Sequence, residues 1–111
     1  MLETMLIAFL SETAPAFAEF PDEPPADGRF FVIERVGGGS SEKLRTATVA
    51  VQCYGATLYV AAGLSEALMS AMEAFYNKPE ICSVKLDSCY NYTDTRTKRY
   101  RYQAVYDITH Y

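Results

Sequence analysis

The sequence predicts a single α+β domain, residues 1–111, with elements in the order α-β-β-β-α-β-β. An antiparallel or mixed sheet is expected, with both helices packed on one face. Three observations carry this. Two segments repeat apolar residues at helical spacing. Four segments alternate, or concentrate β-branched and aromatic residues, at strand spacing. The strand pairs are joined by short turn-like stretches, which favours antiparallel neighbours. With 111 residues, half of them hydrophobic, the chain holds enough apolar surface for a core without a metal or a disulfide staple.

The elements follow in order. Leu2, Met5, Leu6, Phe9 and Leu10 recur at i, i+3, i+4, i+7 and i+8, one stripe of an amphipathic helix, with Glu3 and Glu12 expected in water. The same segment has A-x-A steps further on, but it carries Glu3 and no Lys or Arg before its apolar run, which opposes a secretion signal. The run Met5–Leu10 is too short to span a bilayer. A short strand is expected between Ala14 and Phe20. Pro21 to Gly28, "PDEPPADG", is a loop of prolines and acids. Arg29 to Val36, "RFFVIERV", reads as a strand.

In Leu44 to Gly55 the residues Ala47, Val49, Val51 and Cys53 alternate with Thr46, Thr48 and Gln52, a strand with one buried face. Thr57 is the expected N-cap of a helix to about Tyr76, whose stripe is Val60, Leu64, Ala67, Leu68, Ala71, Met72 and Phe75. Gly63 interrupts it at a cost of about 1 kcal/mol, and a close helix–sheet contact would explain its presence. In Ile81 to Tyr92 the alternation places Cys82, Val84, Leu86, Tyr90 and Tyr92 on one face. In the last strand Tyr100, Tyr102, Ala104, Tyr106 and Ile108 share a face opposite Arg99, Arg101, Gln103 and Asp107.

Chemistry is sparse. The three cysteines, Cys53, Cys82 and Cys89, are an odd number without a C-x-x-C pair, so they read as reduced core residues. His110 stands alone and completes no metal set. Ser40 and Ser41 have no base near them in sequence. No catalytic, cofactor-binding or metal-ligating residue is therefore assigned, and a non-enzymatic protein is expected.

"VGGGSSEKL", Val36 to Leu44, has the composition of a phosphate cradle. A P-loop, however, needs glycine directly before the lysine and a helix after it. Here a strand follows Lys43, and Glu42 would repel phosphate. The glycines are expected to form a flexible hairpin loop over Gly37–Glu42. "TRTKRYRY", Thr95 to Tyr102, interleaves bases with tyrosines as single-strand binders do. At period two, though, Arg99 and Arg101 face away from Tyr100 and Tyr102. Charge and stacking rings are then expected on different surfaces, which disfavours nucleic acid.

The net charge of −4 points the same way. Residues 1–43 hold eight acids and three bases, residues 44–111 six acids and seven bases. An acidic first half and a basic late hairpin suggest head-to-tail attraction between copies, a contact that can close into a ring.

The segments "FVIERVGGG", "TATVAVQCYGATLYVAAGLSEAL" and "YNYTDTRTKRYRYQAVYDITHY" resemble, over nearly the whole chain, the tail terminator (tail completion, or head–tail joining) proteins of long-tailed phages and prophages. The resemblance implies a structural protein that assembles as a ring, commonly a hexamer. The ring caps the tail tube and helps join tail to head, in the host cytoplasm during assembly and in the virion tail thereafter. It implies the protein itself, the tail tube protein and the head–tail connector as partners. It implies no cofactor; the residues themselves argue against a membrane and disfavour nucleic acid as partners. Its inter-strand contact segments map onto Gly37, Gly38, Gly39, Ser40 and Ser41, and onto Arg96, Lys98 and Arg99. The alternatives are a nucleic-acid-binding module using the basic hairpin 95–102 and a head-side adaptor or minor capsid protein of similar fold.

Overall fold

A computed structural model describes residues 2–41 and 44–111. The order is α1 (Leu2–Leu10), β1 (Ala16–Phe17), β2 (Phe30–Ser41), β3 (Leu44–Gly55), α2 (Leu58–Phe75), β4 (Ile81–Asn91) and β5 (Tyr100–His110). This is an α+β fold with a five-stranded mixed sheet, β1-β2-β3-β5-β4. Only the β1–β2 pair is parallel. The molecule is elongated, 44 × 24 × 24 Å.

Both helices cover one face. Leu6, Leu10, Leu64, Leu68, Met72 and Phe75 meet Phe31, Val49, Val51, Cys53, Ala104 and Ile108 there, all nearly inaccessible. The stripe on α1 is as its spacing predicts, except that Glu3 is half-buried rather than in water. On α2, Ser65 is buried. It lies on the core face of the helix, at helical spacing with Ala61, Leu68 and Met72, and its Oγ donates to Ala62 O at 2.7 Å, so its hydroxyl enters the core already satisfied. Thr57 caps the helix, its side chain accepting from Val60 N at 3.2 Å.

Gly63 is not a close-contact position: a Cβ there would meet nothing within 4 Å. The close approach is at Gly55, where an added Cβ would overlap Ala61 N and lie 2.9 Å from Val60 C. Because the strand turns straight into the helix, only a residue without a side chain fits.

The opposite face is not bare. Phe30, Val32 and Tyr54 are buried there, with Phe17 and Phe20 packed against them. Phe30 and Tyr54 stack at 4.7 Å, and Phe20 meets both rings edge-on. This second cluster lies at the end of the sheet where β3 finishes.

The last strand has the predicted faces, but β4 does not. Register shifts at Ile81/Ser83 and Leu86/Ser88 each admit one extra residue. A bulge inverts the alternation beyond it. Val84 and Leu86 therefore share the helix face with Ile108 and Tyr106, whereas beyond the second bulge Cys89 takes that face opposite Ala104. Tyr90 pairs with Gln103 on the other side. Of the predicted common face of Cys82, Val84, Leu86, Tyr90 and Tyr92, only Val84 and Leu86 keep their places: Cys82 is the extra residue of the first bulge, with Ile81 buried in its stead, and the pattern is displaced by one residue after Leu86.

Candidate functional site

The glycines are not in a loop. Gly37, Gly38 and Gly39 pair with Thr48, Ala47 and Thr46, and Ser40 and Ser41 pair with Arg45 and Leu44. The ladder runs to the end of the hairpin, and the tip, Glu42 and Lys43, lies outside the described residues. Glycine is disfavoured in strands because it has no side chain to pack, which is why the sequence reads as a loop. Here pairing to β3, itself held by β5, overrides that preference. A bulge at Val36 precedes the run.

Two arginines that the sequence reading passes over belong to this arm. The Arg35 side chain lies across Gly38: a Cβ there would be 2.5 Å from its Nη2 and 2.7 Å from Thr46 O. Arg35 Nε donates to Gly37 O at 3.3 Å. With Arg45, Gly38 and Gly39 it lines an open cleft of about 420 Å³.

Arg96 and Lys98 are exposed at the other end of the sheet, in the turn between β4 and β5. Backbone bonds between Asp94 and Arg99 close it, at 3.1 and 3.2 Å. Lys98 has φ 55°, the left-handed conformation that ends many four-residue hairpin loops. The Thr97 side chain and the Arg96 N–H bond the exposed Asp94 carboxylate and hold its pKa below the ordinary 3.8. About nine residues of β5 separate this turn from the glycine arm, roughly 30 Å at strand rise. The predicted contact residues therefore form two groups at opposite ends, not one site.

Arg99 and Arg101 do share a surface with aromatic rings, contrary to the period-two expectation. The rings are not Tyr100 and Tyr102 but those of the second face. The Arg99 guanidinium sits 4.2 Å from the Phe20 ring centroid. That of Arg101 is 4.6 Å from the Tyr92 centroid and 5.7 Å from Tyr54. Cation–ring attraction of this kind needs only the ring's negative face. Period two along one strand is silent about neighbours brought from β3, from the segment after β1, and past a bulge.

A polar network crosses this face. Arg101 Nη1 donates to Tyr54 OH at 2.8 Å, and Tyr54 OH donates to Gln52 Oε1 at 3.1 Å. Gln52 Nε2 donates to Gln103 Oε1 at 3.1 Å, and Gln103 Nε2 donates to Tyr90 OH at 2.6 Å. Arg101 Nε also donates to Tyr92 O at 2.7 Å. The network rims a depression of about 340 Å³, lined by Glu19, Phe20, Glu34, Gln52, Tyr54, Arg99 and Arg101 among others. Carboxylates and guanidiniums thus share one concave surface.

The same contacts revise the charge argument. Phe20 immediately precedes the acidic Pro21–Gly28 loop, and it lies under Arg99. The acidic and basic stretches are neighbours within one molecule, so their separation in sequence is not a separation in space.

A third concavity, of about 420 Å³, lies between α2 and β4, lined by Met69, Met72, Glu73, Tyr76, Val84, Leu86 and Tyr106. Tyr76 and Leu86 are exposed. Burial pushes the Tyr106 phenol up to about 12, so it stays a neutral donor at the groove floor.

No group of three or more His, Cys, Asp or Glu side chains converges on a metal-sized site among the described residues. Nor is any of their helices long and apolar enough to cross a membrane. The cysteines are free thiols. Burial raises the Cys53 pKa far above its ordinary value and also raises that of Cys89, so neither is an activated nucleophile. His110 Nδ1 lies 3.0 Å from Tyr111 O, with no thiol or hydroxyl nucleophile bonded to it in the described residues. In comparisons with known proteins, no family model matches the chain and no curated protein matches it.

Proposed function

We propose that the protein is a non-enzymatic structural component of a long-tailed phage or prophage tail, a ring-forming terminator that caps the tail tube and helps join it to the head. The resemblance of nearly the whole chain to that family supports the reading. The observation that carries it is spatial. The glycine arm and the Arg96–Arg99 turn stand at opposite ends of one continuous sheet, in a molecule 44 Å long. A subunit of this shape offers one end to the tube and the other to the connector, with a rigid sheet between them.

The test is reconstitution. The purified protein is mixed with tail tube protein, with connector, or with both, and the complexes are sized by native mass spectrometry. A ring, six copies by family resemblance, that blocks further tube growth is expected. A protein that stays monomeric with both partners present refutes the reading. Binding to connector alone points instead to a head-side adaptor.

A second reading is kept because Arg99 and Arg101 share a face with Phe20 and the exposed ring of Tyr92. Such a surface suits single-stranded nucleic acid. It requires binding that weakens as salt rises, since phosphate contacts release counterions. Absence of any shift with single-stranded oligonucleotides at low salt removes it.

A further inference from the structure

Among the described residues, both edges of the sheet are open over most of their length. The outer edge of β2 is covered by β1 only at Phe31 and Val32, which leaves Ile33 to Ser41. The outer edge of β4 has no neighbour among the described residues. Strands β2, β3, β5 and β4 are antiparallel in succession, so their directions alternate. The next strand beyond β4 in an antiparallel sheet would run in the direction of β2.

We propose that the partner of the β4 edge is the β2 edge of a second copy of this chain, so that the sheet continues from one protomer into the next. Taking a second copy as the occupant rests on the ring reading above; the geometry of the contact comes from the sheet itself.

The register supports the fit. Ladder partners place Gly39, Thr46, Thr109 and Ser83 at one level of the sheet, and Gly38, Ala47, Ile108 and Val84 at the next. Gly37, Thr48, Asp107 and Lys85 follow, then Arg35, Val49, Tyr106 and Leu86. A copy set alongside with its strands level brings the glycines beside Ser83–Lys85. That stretch lies between the two β4 bulges, and the glycines lie beyond the β2 bulge, so neither backbone is interrupted where they meet. Glycine adds no side chain of its own to obstruct the approach, and the Arg35 side chain, which lies across Gly38 and donates to Gly37 O, swings off the glycines when the edge is paired.

Side chains agree with backbone. Arg35 pairs with Val49, and Arg45 lies two residues before Ala47, so both belong to the helix side of the sheet. In a continued sheet that side stays the same for each copy. The two arginines then face the groove between α2 and β4, whose one acid is Glu73, set among Met69, Tyr76 and Leu86. Asp87, in the second bulge, lies at the same level. The contact joins two different edges, so it is heterologous and repeats until it closes a ring.

The test uses the full chain carrying Gly39→Cys and Ser83→Cys in a Cys82→Ser background. A Cβ at Gly39 has open space, and Ser83 is exposed. Within one molecule the two positions are three strand spacings apart, about 14 Å, beyond disulfide reach of about 7 Å. Under oxidation at high concentration the double variant should give a ladder of covalent multimers beyond dimer, and neither single variant should.

Glu73→Arg should cut the ladder by about tenfold, as loss of a close interfacial charge pair does, and adding Arg35→Glu should restore it. A double variant that cross-links no better than the singles overturns the inference, as does a ladder indifferent to the Glu73 reversal. A complex with tube and connector but no ladder rejects this interface and leaves the tail reading intact. A ladder without tube or connector binding does the reverse.

Discussion

Gly55 and Gly63 offer a paired test of how α2 is seated. At Gly55 an added Cβ would overlap Ala61 N and lie 2.9 Å from Val60 C. Both are backbone atoms, so no rotamer change relieves the overlap, and the helix start must move. Overpacking of this kind costs about 1–3 kcal/mol. The displaced turn also carries the bond from Val60 N to Thr57 Oγ1, 3.2 Å long, and loss of an N-cap adds about 1 kcal/mol.

Gly55→Ala should therefore destabilise by about 2–4 kcal/mol, a large share of a total of about 5–15 kcal/mol. At roughly 4 °C per kcal/mol for a domain of this size, the melting temperature should fall by about 8–16 °C. Gly63→Ala meets nothing within 4 Å and should stabilise by about 1 kcal/mol through helix propensity alone. Urea unfolding followed by circular dichroism measures both, with an unchanged m-value as the check on two-state behaviour. A Gly55→Ala unfolding free energy within about 0.5 kcal/mol of wild type, or a larger loss from Gly63→Ala, would refute the placement of the helix.

Two further outcomes follow from the thiols and the turn. Cys53 is wholly buried and its pKa is raised by that burial, so a thiol reagent at pH 8 should modify half-exposed Cys82 first and Cys53 only at the rate of unfolding. A single phase for all three thiols would contradict the packing. Asp94 has a lowered pKa in the folded turn, through the Thr97 side chain and the Arg96 N–H. A lowered folded value means that the unfolded turn takes up its proton first. The carboxylate's contribution is therefore present above the ordinary 3.8 and is lost as pH falls through the lower folded value. The Arg96 amide resonance should report that titration, and a midpoint at or above 3.8 would sink the assignment.

Much of the fold was legible in the residues themselves. Leu2, Leu6 and Leu10 recur at one helical spacing, and Ala47, Val49, Val51 and Cys53 at one strand spacing, because burial of one face selects apolar residues at the period of the backbone. Thr57 marked a helix start for a similarly local reason: its hydroxyl is within reach of Val60 N. These interactions are short in sequence, so element order and type followed from the chain alone.

What lay beyond sequence was decided by pairing. The glycine run became a strand because β3, already held by β5, supplies a ladder along its whole length. Tyr90 changed faces because of a bulge at Asp87, which no local pattern announces. Arg99 and Arg101 met aromatic rings because Phe20, Tyr54 and Tyr92 arrive from three other segments. Gly55, not Gly63, proved to be the tight position because that depends on where α2 lands. Periodicity along one chain fixes which way a side chain points; what it points at is set by strands and loops distant in sequence, and only the assembled sheet brings them together.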